Sequence, residues 1–278
     1  MAEDELKQRE DDIDLDEEER EDVEESSGPS ALAIHEIIRR RGDEELERPT
    51  WSLWWSGVAG GVAISASVLG QALFEDALPD AEWAILLSSL GYTLGFLIVV
   101  LGRLQLFTES TLSAVIPVAT HPSIANGGRL LRFWAIVLAA NMVGTFLVAL
   151  MTSRGWLLPD DQVAAMLDLS RKLLEKDALA SFKAGIPAGF LIAAVPWALP
   201  SAKGHEFWVI LFFTYFIALG GFAHVVAGST EAWLLALSGE AGWGRAIGGI
   251  MLPTLLGNIL GGTGLFALLA HAQVSEEL

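Results

Sequence analysis

The sequence contains no cysteine, which excludes disulfides, thiol catalysis and cysteine metal sites. The residue patterns of common enzyme classes are missing as well. There is no His-Glu-x-x-His, no Gly-x-Ser-x-Gly and no glycine loop able to cradle phosphate. An intramembrane protease would need a catalytic set that does not assemble, because His224 is the only histidine deep within an apolar run. No enzymatic activity, cofactor, metal or nucleic-acid partner is therefore expected. The N-terminus lacks a charged-then-apolar signal pattern, so no cleavage is expected. The apolar runs are also too long and continuous for the alternating strands of an outer-membrane barrel.

Basic residues are scarce at one end, where acids are dense. Residues 1–29 hold 15 of the 35 acids and only three bases, a net of −12 out of −18. Such a stretch buries too little apolar surface to offset its ordering entropy, so it reads as a disordered tail. The acidity describes the tail, and an anionic substrate is not excluded by it. Residues 30–50 follow as an amphipathic juxtamembrane helix, with Leu32, Ile34, Ile37 and Ile38 on one face and arginines on another. That pattern suits a membrane surface or a linker helix packed on the protein.

Six apolar runs come next: Trp51–Phe74, Trp83–Val118, Phe133–Thr152, Ala184–Leu199, Phe207–Ser238 and Ala246–Ala270. About 20 residues suffice for a helix to cross a bilayer. The second and fifth runs are too long for one span and too short for two with a turn. Each carries polar groups at its middle, among them Arg103, Gln105, Thr108 and Glu109 in one, and His224, Ser229, Thr230 and Glu231 in the other. A broken helix meets both constraints, because backbone freed from hydrogen bonding is tolerated at membrane depth only when protein or a watery cavity surrounds it. Gly102 and the Gly220-Gly221 pair supply the flexibility.

An internal repeat supports two halves. Gly57-x3-Gly61 answers Gly185-x3-Gly189, Ser110-Thr111 answers Ser229-Thr230, and Asn141-Met-Val-Gly144 answers Asn258-Ile-Leu-Gly261. Three spans per half is an odd number, so the halves are inverted. The expected fold is an all-α integral membrane protein with six transmembrane helices in two inverted three-helix repeats, the second and fifth helices broken. The repeats cover about 51–152 and 184–271 within a channel domain at 51–271, and 272–278 forms a C-terminal tail. Each Ser-Thr pair is expected to cap the second half-helix of its run, and the positive half-helix ends would favour an anion at the centre.

His224 is the leading candidate residue, since an ionisable group at membrane depth is a functional hypothesis by default. The alternative is a neutral histidine satisfied by a nearby carbonyl. Thr108 could bond that histidine or a substrate, or could cap its own backbone. Pairing among Arg103, Glu109 and Glu231 in a charge network, or exposure to a vestibule, would reduce their cost; structural pairing is the expectation and a role in substrate selection the alternative. The Gly-x3-Gly spacings allow close helix packing whether or not they line a pore. Asn141 and Asn258 are expected to tie the broken backbone through their amides.

Leu106-Phe107-Thr108, within GRLQLFTEST, resembles the break motif of the formate/nitrite transporter family. Gly221 through Ala227 (GFAHVVA) resembles that family's motif around a central histidine, and Pro253 through Gly262 (PTLLGNILGG) the signature of its last span. The resemblance covers roughly residues 45 to 271. It implies an aquaporin-like fold, a homopentamer with one pore per subunit, and passage of small monovalent weak-acid anions such as formate or nitrite. By position it gives His224 and Thr108 the central pair, and places Leu106, Phe107, Phe96 and Ile217 at apolar constrictions. It sets Gly189 along the pathway, and Lys172 or Lys176 in an anion-attracting role. Ala223, Gly228, Gly189 and Arg103-Leu104-Gln105 depart from the family pattern, as in its divergent YfdC-type members.

The expected function is thus an inner-membrane channel or proton-coupled carrier whose partners are lipid, its own copies and a small anion. A neutral-solute pore, or a membrane sensor using the acidic tail, are the alternatives. With a cytoplasmic N-terminus, seven basic residues face inside and six outside. That near-tie leaves the resemblance to favour cytoplasmic termini.

Overall fold

The computed structural model describes residues 28–277. The acidic stretch 1–27, which holds most of the expected disordered tail, lies outside the described residues. Among the described residues all regular structure is helical. The elements are α1 (Ala31–Glu47), α2 (Thr50–Ala77), α3 (Ala84–Leu101), α4 (Ser110–Thr120) and α5 (Ile124–Ser153). There follow α6 (Asp160–Arg171, extended by the 3-10 turn Lys172–Glu175), α7 (Ala178–Ala198), α8 (Glu206–Leu219), α9 (Val225–Leu237) and α10 (Arg245–Val274). The last helix runs on into the stretch read from sequence as a tail.

Five of these, α2, α3, α5, α7 and α10, are long and apolar enough to cross a membrane. Their outward faces carry large apolar side chains such as Leu94, Leu131, Leu256 and Leu269, a surface suited to lipid or a neighbouring apolar protein face. The second and fifth apolar runs instead form pairs of shorter helices, α3 with α4 and α8 with α9, each pair separated by irregular backbone.

Small residues set how closely the long helices pack. A Cβ at Gly61 would meet the Asn141 carbonyl oxygen at 2.3 Å, and one at Gly189 would meet the Asn258 carbonyl oxygen at 2.2 Å. The Gly-x3-Gly stripes therefore seat α2 on α5 and α7 on α10 with backbone nearly touching. Pro187 and Pro196 lie inside α7. Two π-helical stretches, Arg245–Met251 and Leu260–Ala267, flank the segment of α10 that carries Asn258. Sequence periodicity gave no indication of α6, whose polar face hides it from an apolar-run search.

Candidate permeation site

Both irregular segments leave their preceding helix in the same way. After α3, the Gly102 N–H donates to the Ile98 carbonyl, Arg103 to Val100 and Leu104 to Val99. After α8, Gly220 donates to Phe216, Gly221 to Ala218 and Phe222 to Ile217. This is a Schellman arrangement, which needs a left-handed residue just past the helix. Gly221 takes that place at φ 60°, and Arg103 takes it at φ 51°. Gly102 and Gly220 themselves have φ of −76° and −78°. The first break thus bends at an arginine rather than at the glycine expected from sequence.

Asparagines hold the segments open. The Asn141 amide donates to the carbonyls of Gly57 (2.7 Å) and Gln105 (2.9 Å), and its oxygen accepts from the Phe107 N–H (2.9 Å). Asn258 donates to Gly185 (2.8 Å) and Ala223 (2.8 Å) and accepts from the Val225 N–H (2.8 Å). Both asparagines are fully buried, so each satisfies three backbone groups that water cannot reach.

These bonds bring Thr108 and His224 together, with Thr108 Oγ1 2.5 Å from His224 Nε2. His224 is also the N-cap of α9, where its Nδ1 accepts the Ala227 N–H at 3.1 Å. An accepting Nδ1 puts the neutral ring's proton on Nε2 and aims it at Thr108 Oγ1. The Thr108 hydroxyl proton is then free for another acceptor. An imidazolium has two donors and no acceptor, so a proton arriving at Nδ1 must displace the cap.

The Ser-Thr pairs do not cap, contrary to expectation. Ser110-Thr111 open α4 and Ser229-Thr230 sit in the second turn of α9, where Ser110 donates to the Phe107 carbonyl, Thr111 to Thr108 and Ser229 to Val226. Thr230 and Ser229 also bond Ser65 (2.9 Å) and Thr145 (2.8 Å), tying α9 to α2 and α5.

Apolar side chains close around the polar pair. The Phe96 ring lies 4.9 Å from the His224 ring at 71°. Phe96, Phe107, Leu106 and Ile217 are all buried in one apolar cluster. A cavity of about 140 Å³ reaches His224 from one side, lined also by Lys172, Lys176, Tyr92, Gln71 and Glu231. A larger cavity of about 620 Å³ reaches Leu106, lined by Arg103, Glu109, Lys203 and residues of α1. Within it Glu45 accepts from Ser113 (2.8 Å), and burial pushes the Glu45 carboxyl above the usual carboxylate range despite that bond.

The other named residues separate. Arg103 and Glu109 line one cavity and Glu231 the other, and none of the three joins an ion pair among the described residues. The expected pairing is therefore not made: Glu231 lines a different cavity from Arg103 and Glu109, and those two line one cavity without bonding each other. Gly189 packs against α10 and lines neither cavity, since Asn258 backbone fills the space beside it. Lys172 bonds Glu75 at 2.5 Å, and Lys176 donates to the Gly221 carbonyl at 2.7 Å. Sequence reasoning missed Gln71 and Tyr92 as cavity-lining groups. Tyr92 is one of only two tyrosines, and its polar tip within an apolar run was the available signal.

A helical membrane protein with one cavity reaching His224, another reaching Leu106 and apolar side chains packed around the buried polar pair has the build of a permeation protein. The family model described as formate/nitrite transporter matches residues 32–272, and the chain belongs to that family. It is 38% identical over its whole length to the inner membrane protein YfdC of Escherichia coli (strain K12), covering 92% of that protein. It is 26% identical to the formate channel FocA of Haemophilus influenzae (strain ATCC 51907 / DSM 11121 / KW20 / Rd), over 65% of each chain. Among solved structures, a pentameric formate channel with formate bound superposes with a TM-score of 0.70 at 20% identity, covering 82% of this chain and 98% of that one. An FNT family ion channel superposes at 0.72 and 21% identity, covering 87% and 98%.

Proposed function

We propose that the chain is a channel or carrier for small monovalent anions of weak acids, and that it conducts them past the Thr108–His224 pair. The observation that carries this reading is the free Thr108 hydroxyl proton, a donor aimed into an otherwise apolar waist. A bare anion stripped of water there would be very unstable. A carboxylic or nitrous acid can instead cross neutral, held by one hydrogen bond while it leaves its hydration shell. Lys172 and Lys176 on one side, and Arg103 and Lys203 on the other, would raise the local anion concentration.

In this reading α3–α4 and α8–α9 are each one interrupted span, which gives six spans in two inverted halves. Asn141, Asn258, Gly102, Gly220 and Gly221 support the breaks. The related formate channels support a small anion as substrate and a pentamer as the working assembly. The inner-membrane relative supports that location, and we place both termini in the cytoplasm. Family membership supports transport over enzymatic activity.

The test is protein-dependent flux of formate, nitrite, acetate and lactate into proteoliposomes, beside water, ammonia and glycerol. Thr108→Val keeps the shape but removes the donor. Weak-acid flux should fall roughly threefold to tenfold, the worth of a hydrogen bond between neutral groups. Unchanged flux in Thr108→Val would defeat the mechanism. Flux of neutral solutes alone would make the protein a neutral-solute pore, and no flux at all would favour a sensor.

A further inference from the structure

We propose that Glu231 is the proton-exchanging group of the His224 cavity, giving a proton to an incoming weak-acid anion before it meets the Thr108–His224 pair. This rests on the weak-acid reading above. Glu231 stands on α9 two turns beyond His224, on the same face, and both line the 140 Å³ cavity. Gly228 lies between them and also lines the cavity. A Cβ at position 228 would find only Glu231 Oε2 within reach, at 3.9 Å, so no other side chain crowds the cavity wall beside Gly228.

The surrounding groups are already committed. From α2, Glu75 holds Lys172, and the Lys176 ammonium donates to the Gly221 carbonyl. Arg245, from α10, donates to the Leu174 and Lys176 carbonyls. Tyr92 from α3, Gln71 from α2 and Thr254 from α10 complete the polar lining. Glu231 alone among the cavity's charged groups has no hydrogen bond or ion pair among the described residues. A carboxyl kept at membrane depth without a partner is costly to hold unless it acts.

His224 is poorly arranged for the same task, since its Nδ1 is taken by the Ala227 N–H. In the step proposed, the O–H bond of the Glu231 carboxyl breaks and its electron pair stays on Glu231 as carboxylate. The proton forms a new O–H bond on the anion, which moves on as the neutral acid. A proton from the bulk solution on that side, carried in as hydronium, then re-forms the Glu231 O–H bond and leaves water. The lysines favour the ionised Glu231, whereas Glu75 and the arriving anion favour the protonated form. Anion arrival and proton uptake are thereby coupled at one place.

The experiment is formate uptake into proteoliposomes at about pH 5.5 and about pH 7.5, both above the ordinary range of a free carboxylate and roughly a hundredfold apart in proton supply. Protein-free leak is subtracted. Glu231→Gln should lose roughly a hundredfold of uptake at the acidic value, the lower end of what a positioned proton donor contributes, and change little at the higher one. Glu231→Asp should keep the pH profile at a reduced rate. Uptake that is unchanged or raised at both values in Glu231→Gln would overturn the proposal and leave the transport reading standing. Should Glu231→Gln fail to assemble, a Glu231→Asp protein matching wild type in both rate and profile would overturn it. Wild-type protein that carries no weak acid at any pH would remove both readings together.

Discussion

The two breaks share a backbone and differ in what they display on it. Arg103 corresponds to Gly221, Gln105 to Ala223, Leu106 to His224 and Phe107 to Val225, each pair 118 positions apart. Exit turn and asparagine clamp are the same on both sides, down to the Gln105 and Ala223 amides. These donate to Ser56 Oγ at 3.1 Å and to the Ala184 carbonyl at 2.9 Å. Where one half presents an apolar Leu106, the other presents the capping imidazole of His224. The common frame does the structural work of keeping irregular backbone buried, and the side chains then divide the waist into an apolar and a polar half.

The sharpest way to break the comparison is to remove the clamps. Asn141→Ala and Asn258→Ala each leave two buried groups of the irregular segment without partners, at about 1–3 kcal/mol apiece, while the Gly57 and Gly185 carbonyls keep their helical donors. Both variants should lose several kcal/mol of stability, read as a fall in the detergent melting temperature of the oligomer. Equal losses would mean that the halves are mechanically equivalent. A variant that melts like wild type would show that water or backbone relaxation replaces the clamp.

A smaller effect comes from exchanging the left-handed residues. Arg103→Gly relieves a strained position and should stabilise the fold by up to about 1 kcal/mol, whereas Gly221→Ala should destabilise it by about that much. Opposite signs in the two melting curves are expected. Arg103→Gly coming out destabilised would mean that the arginine's contacts with the larger cavity outweigh its strain.

Much of this frame was legible in the sequence because the repeat writes it twice. The two asparagines and the Gly-x3-Gly pairs stand in register, and apolar-run lengths demanded interrupted helices. The Leu-Phe-Thr and Gly-Phe-Ala-His motifs pointed to Thr108 and His224 before any geometry. What the sequence hid depends on three-dimensional exit angles. A left-handed arginine carries no signature, because any non-glycine residue is disfavoured there. Ser110-Thr111 and Ser229-Thr230 look like caps, yet α4 already begins at Ser110 and α9 at Val225, and the Ser110, Thr111 and Ser229 hydroxyls turn back to carbonyls instead. Arg103, Glu109 and Glu231 match in pattern, but Glu231 lines a different cavity from the other two. Helix α6 was hidden because its polar face makes no continuous apolar run.

The last prediction compares the short helices that precede each half. Helix α6 is tied by Arg171, which bonds Glu240 at 2.7 Å and holds that carboxyl below the usual range. Helix α1 is tied to α10 by His35, whose Nε2 lies 3.0 Å from His271 Nδ1. His35 is fully buried and its Nδ1 has no partner among the described residues. Burial first, and then His271 and Arg39, push the His35 imidazole below the usual histidine range, with Glu36 opposing. A lowered folded value means that the unfolded segment binds more protons. The contribution is therefore full above the unfolded value of ~6.5 and is lost as pH falls from there through the folded value. Amide exchange in α1 should accordingly rise a few-fold between about pH 7.5 and about pH 5, after correction for intrinsic rates, while α6 changes less. The α6 tie persists because an arginine and a carboxylate of lowered affinity for protons both keep their charge over that interval. His35→Phe should abolish the difference, since it fills the same space and cannot titrate. If α1 and α6 loosen equally in acid, or if His35→Phe leaves the response of α1 intact, the histidine pair is a passive packing contact.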